Sequence, residues 1–148
     1  MDRCAIAYKL HHEGYNCAQA VVGAFEDRIG LPQGAVLTAA GGFGGGLGGS
    51  HEEMCGAVSG GVMALSLLAP YTGERAEVKR RVYALCKDFR RRFAAVFGVT
   101  RCGDLLAARP GVTDKTPAAQ RLGLDKHCDI LIVTAVELVE AMLEEIAP

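Results

Sequence analysis

Apolar residues recur at three- and four-residue intervals along most of the chain, and strand-like alternation is absent. The periodicity therefore predicts an all-α protein. Residues 2–12 form a first helix stopped by Gly14, and Asn16 caps a second whose stripe is Ala18, Val21, Val22, Phe25 and Ile29, ending before Gly30. Pro32 suits the first turn of a third helix through about residue 40, and a glycine run, GGFGGGLGG, follows over 41–49. Ser50 with Glu53 has the form of a capping box. It predicts a fourth helix that starts there, carries Cys55 in its early turns and ends near Pro70.

The longest helix is expected from Gly73 to Phe97, with Val78, Val82, Leu85, Phe89, Phe93 and Phe97 on one face and Gly98 as its stop. Thr100 is expected to cap a short turn through Leu106, and residues 107–124, with Pro110, Gly111 and Pro117, read as a looser connection. Asp125 is expected to cap a last helix with the stripe Cys128, Leu131, Ile132, Ala135, Leu138, Val139, Met142 and Ile146. The sum is a single domain over residues 1–148, a helical bundle of five or six helices with a glycine-rich loop.

Charge narrows the choice of partners. Sixteen basic residues against seventeen acidic ones leave a formal net charge of −1, so no global field draws the protein to nucleic acid or to an anionic membrane. Lys79, Arg80, Arg81, Lys87, Arg90, Arg91 and Arg92 share a helix with an aromatic stripe and read as its wet face. The low-charge run 55–71 is interrupted by glycines and broken by Pro70, which makes it short for a membrane span. The N-terminus lacks the basic, apolar and small-residue segments of a secretion signal, so a cytoplasmic protein is expected.

Six cysteines, at 4, 17, 55, 86, 102 and 128, are many for such a chain. A reducing compartment disfavours structural disulfides and gives weight to metal binding or redox chemistry. Cys17, Cys55, Cys102 and Cys128 fall at or near expected helix starts, where unpaired N–H groups and the positive end of the helix dipole favour thiolates. Such thiols, if they converged, would suit an anionic, polarisable centre such as an iron–sulfur cluster. Cys4 and Cys86 lie inside helical patterns and read as packing. No C-x-x-C pair is present, so convergence has to come from tertiary structure.

Asn16-Cys17-Ala18-Gln19-Ala20, the glycine run, Cys55-Gly56-Ala57-Val58-Ser59-Gly60, Cys102 and Cys128 together resemble the C_GCAxxG_C_C family of redox-active proteins, from about residue 14 to 140. The resemblance implies that Cys17, Cys55, Cys102 and Cys128 are the four family cysteines. It also implies a small bacterial protein, cytoplasmic or exported, encoded beside oxidoreductases or transporters. A related domain in split-Soret cytochromes is associated with an iron–sulfur cluster.

The expected function is that of an electron carrier, rather than an enzyme with its own substrate. It would hold an iron–sulfur cluster through the four cysteines and serve a redox partner protein, an oxidoreductase. Two alternatives stand beside it: thiol–disulfide exchange by a pair of the same cysteines, and a Cys4 zinc site or metal-free thiols in a partner-binding bundle. A homo-oligomer is compatible with each.

The glycine run would let backbone N–H groups approach a cluster or anion, or would be a mobile loop or a close helix contact. Gly44 to Gly49 formally fits G-x-G-x-x-G, but no strand precedes it and no P-loop lysine follows. The stretch from His51 to Cys55 lacks the second histidine of a zincin helix. His51, Glu52 and His127 adjoin family cysteines and are candidates for tuning a cluster or relaying a proton. His11 and His12 carry no partner signal in the sequence.

Overall fold

Side-chain caps set the first two helices. In the computed structural model, which describes residues 1–69, 71–109 and 116–147, Asp2 Oδ1 accepts from Ala5 N at 3.2 Å and starts α1 (Arg3–His12). Asn16 and Gln19 form a reciprocal capping box that starts α2 (Cys17–Gly23). This helix is shorter than its apolar stripe, because turns carry residues 24–28 while Phe25 and Ile29 stay buried. Gly34, at φ +85°, precedes α3 (Ala35–Ala39), so the third helix begins after Pro32 rather than with it. A single 3-10 turn, Gly41–Phe43, opens the glycine run.

The remaining helices are α4 (Gly56–Leu68), α5 (Arg75–Phe97), α6 (Cys102–Ala108), α7 (Pro117–Arg121) and α8 (His127–Ile146). The described residues thus hold eight α-helices and no strand, rather than the expected five or six helices. Much of the difference lies in 107–124, expected to be a looser connection. Pro117 starts a helical turn there, and Ala118 N donates to Glu137 Oε2 at 3.0 Å while the Thr116 and Thr134 hydroxyls meet at 3.0 Å. Pro110 and Gly111 of that stretch lie outside the described residues, as does Pro70.

Three expected caps are corrected. Ser50 does not start α4: its Oγ donates to Gly46 O at 2.7 Å and accepts from Glu52 N at 3.2 Å, closing a turn, and the cap residue of α4 is Cys55. Thr100 does not cap α6, because its carbonyl accepts from Cys55 N at 2.8 Å and Arg101 takes the cap position. Lys126, not Asp125, precedes α8. Long-range backbone pairing decides the first two cases, and it overrides a local side-chain signal.

The core forms where α2 and α4 cross and α8 packs on both. Gly60 is one reason they approach so closely, since a Cβ there would stand 2.6 Å from Ala18 O on α2. α8 also contacts α1, α5 and α7, which covers more than the one stripe expected of it. Ile130, Val133, Thr134 and Val136, outside that stripe, are therefore buried as well. On α5 the inner residues Leu85, Phe89 and Phe93 are buried, and its outer charges pair, with Arg81 on Glu77 at 2.6 Å and Arg92 on Glu145 at 2.6 Å. No described helix is long and apolar enough to cross a membrane.

A test of this packing lies at Gly61, where a Cβ would meet the fully buried Phe89 ring at 2.2 Å. Alanine normally stabilises a helix interior by up to about 1 kcal/mol over glycine. Gly61→Ala is instead expected to destabilise by about 1–3 kcal/mol through overpacking, measured by urea unfolding. Combining it with Phe89→Leu should recover part of the loss.

Candidate functional site

Four helix starts meet around one cavity of about 100 Å³. Cys17 is the first residue of α2, Cys55 the cap residue of α4, Cys102 the first residue of α6 and Cys128 the second residue of α8, and all four line that cavity. Leu105, Leu106 and Leu131 supply its apolar wall, and Gly45, His51 and His127 complete the lining. Cysteines scattered over more than a hundred residues of sequence are thus brought together by packing alone.

Separate backbone devices position each thiol. Asn16 caps the helix of Cys17, and its amide Nδ2 also donates to Gly41 O at 2.9 Å, fastening the glycine run to α2. Cys55 and Cys102 are held across a short antiparallel pairing centred on Met54 and Arg101. In it Cys102 N donates to Glu53 O at 2.9 Å and Gly103 N donates to His51 O at 2.8 Å. The Arg101 guanidinium pairs with Asp104 at 2.9 Å at the outer edge.

The glycine run makes room for this arrangement. Five successive residues, Gly45 to Gly49, hold φ between 60° and 73°, a conformation that disfavours any residue with a Cβ. Leu47 is the one non-glycine among them, and it is half exposed. A Cβ on Gly46 would lie 2.6 Å from Cys102 Cβ, and one on Gly56 would lie 2.2 Å from Cys17 Sγ. Backbone bonds close the run into a compact turn: Gly48 N donates to Gly42 O at 2.8 Å, Gly49 N to Gly44 O at 3.0 Å and, just past the run, His51 N to Gly45 O at 2.8 Å.

Burial dominates the electrostatics. Desolvation, reinforced by the neighbouring Cys17 and Cys102 sulfurs, pushes the Cys55 thiol up to about 12, although the N–H groups of Ala57 and Val58 pull the other way. Burial and the same two neighbours push Cys128 up to about 11. Cys102 is raised as well, by burial first and Cys17 second, with Arg101 opposing. The expectation that helix starts would lower these thiols is therefore reversed at Cys55, Cys102 and Cys128, because desolvation in an apolar cavity outweighs the helix dipole.

Cys4 and Cys86 stand apart from the cavity. Cys4 is buried against α8, its Sγ 3.6 Å from Val133 O, and Cys86 is half-buried on α5 beside Ser66. His51 sits in the cavity wall at φ +63°, while His127 reaches the Cys128 sulfur through Nε2 at 3.3 Å. Glu52 is exposed at the edge, where its carbonyl faces the Arg101 guanidinium. His11 and His12, which have no partner signal in the sequence, both hydrogen-bond to the buried Asp129, next in the chain to Cys128. Among the described residues, the three potential metal ligands whose donor atoms all lie within 4.8 Å of one another are His11, His12 and Asp129.

No curated protein and no solved structure matches the chain. One family does, described as "Putative redox-active protein (C_GCAxxG_C_C)", and its sequence model matches residues 15–142, a span that holds all four cavity cysteines. With that span covering most of its length, the chain belongs to the C_GCAxxG_C_C family.

Proposed function

We propose that Cys17, Cys55, Cys102 and Cys128 hold an iron–sulfur cluster in the cavity, and that the protein carries electrons for a partner oxidoreductase rather than transforming a substrate of its own. The observation that carries this reading is four thiols from four helix starts around one largely apolar cavity. The family description, a redox-active protein, agrees in kind.

A bound cluster would supply one-electron chemistry; the chain supplies its surroundings. Leu105 and Leu131 are buried and keep water from the cavity, a factor that sets cluster potential. The N–H groups of Ala57 and Val58 point at the Cys55 sulfur and stabilise negative charge on it. His127, bonded to the Cys128 sulfur, is placed to hold a proton at that ligand. The raised thiols of Cys55, Cys102 and Cys128 disfavour these three as the nucleophile of thiol–disulfide exchange, which runs through the thiolate.

Protein purified without oxygen is expected to be brown, with stoichiometric iron and acid-labile sulfide. Cys→Ser at 17, 55, 102 or 128 should each abolish or sharply reduce both, while Cys4→Ser and Cys86→Ser retain them. Colourless protein with one zinc, or metal-free protein with a reversible internal disulfide, would replace this reading with one of the two alternatives. Gly56→Ala, which changes no ligand but drives a methyl group against the Cys17 sulfur, should also lower iron content.

The buried thiols set opposite pH dependences for the two forms. In metal-free protein Cys55 and Cys128 are raised from 9.0 to about 12 and about 11, so the folded state holds their protons longer than the unfolded chain does. Their contribution to stability is full below pH 9.0 and is lost as pH rises toward the folded values. Metal uptake releases thiol protons, so its apparent affinity should rise with pH by up to about tenfold per unit for each proton released. Denaturant melts of metal-free protein and competition with a chelator at several pH values measure the two trends.

A further inference from the structure

The start of α8 carries a second set of donors one residue beyond Cys128. Asp129 is only 4 % exposed, and its two carboxylate oxygens are shared between two imidazoles. His11 Nδ1 lies 2.9 Å from Oδ1, and His12 Nε2 lies 3.3 Å from Oδ2. The two histidines are consecutive on the last turn of α1 and so leave the helix about 100° apart. They still converge, because His11 uses its near ring nitrogen and His12 its far one. Their rings stand almost perpendicular, at 89°, and Tyr8 packs on His12 with ring centroids 4.2 Å apart.

Three features make this more than a brace between two helices. All three ligand atoms lie within 4.8 Å of one another, the reach of one ion. Two imidazoles and a carboxylate form a borderline donor set suited to divalent first-row metals, unlike the all-sulfur set of the cysteine cavity. A separate cavity of about 600 Å³ opens over the trio, with Arg109 and Lys126 on its wall, and leaves one side of such an ion free for water or an anion.

We propose that His11, His12 and Asp129 bind a divalent first-row transition metal ion, of the zinc or iron(II) class, at a site separate from the four-cysteine cavity. Each imidazole would present a lone pair from the nitrogen now facing the carboxylate and carry its proton on the other ring nitrogen. Asp129 would exchange two hydrogen bonds for the ion. Both cavities have His127 and Cys128 in their walls, so the ion would sit directly across the start of α8 from the cysteines. The inference stands on these three residues and does not depend on what the cysteines hold.

Cobalt(II) is a suitable reporter, because sulfur ligands add intense charge-transfer absorption that nitrogen and oxygen ligands do not. Full-length wild-type protein and His12→Gln, both prepared without oxygen, are titrated with Co²⁺. His12 has a side chain 42 % exposed, so glutamine is expected to leave the fold intact, as a thermal melt checks. Wild type should bind one equivalent more than the variant, and the difference spectrum should show ligand-field bands without sulfur charge transfer.

Nuclear magnetic resonance of wild-type protein titrated with Zn²⁺ should move the ring signals of His11 and His12, a readout that needs no variant. Equal cobalt stoichiometry and affinity in the two proteins, or sulfur charge transfer on every bound cobalt, would overturn the proposal. So would imidazole signals that Zn²⁺ leaves unmoved. Acid-labile sulfide reports on the cysteines alone, so failure at either site is read separately.

Discussion

Everything at the cysteine cavity depends on how closely α4 lies on α2. A Cβ on Gly60 would collide with the carbonyl of Ala18, and one on Gly56 with the Cys17 sulfur, so along this seam one helix touches the other through backbone. Each glycine inside a helix costs about 1 kcal/mol relative to alanine. Close packing and the burial of Val21, Val58 and Leu65 offset that cost. Because the contact lacks long side chains, it has little slack. The starts of the two helices, and with them Cys17 and Cys55, are brought to the same end of the bundle.

A second constraint brings in the other half of the site. The pairing of residues 51–55 with 100–103 joins the start of α4 to the start of α6 and ties Cys55 to Cys102 through three backbone hydrogen bonds. The left-handed glycine run then fits under this pairing, and Gly46 lies against Cys102 where no side chain would fit. Helix α8, central to the bundle, delivers Cys128 to the same cavity. Four polar helix starts thus face an apolar hollow. That combination suits metal-held thiolates better than free ones, since burial opposes charge on a lone thiol while a cationic centre favours it.

At the start of α8, consecutive residues face two different surroundings. Cys128 and Asp129 are neighbours, and a helix turns about 100° per residue. The sulfur lines the cysteine cavity, whereas the carboxylate meets the two histidines of α1. The contact of α1 with α8 therefore has polar as well as apolar content: Cys4 packs on Val133 at one level and His11 and His12 close on Asp129 at another.

Local signals in the sequence determined the helical class, the capping of α2 by Asn16, the stop at Gly98 and the separation of four cysteines at helix starts from Cys4 and Cys86 inside helices. Each depends on neighbours within a few residues, and periodicity and capping chemistry report on those. Tertiary structure decided the rest. Ser50, Thr100 and Asp125 carry cap-like side chains, but contacts from about fifty residues away claim the backbone around the first two, and the last helix starts just past the third. The convergence of the thiols, their raised protonation and the meeting of His11 and His12 with Asp129 all depend on which surfaces pack together. Periodicity says that a face is buried; it does not say against what.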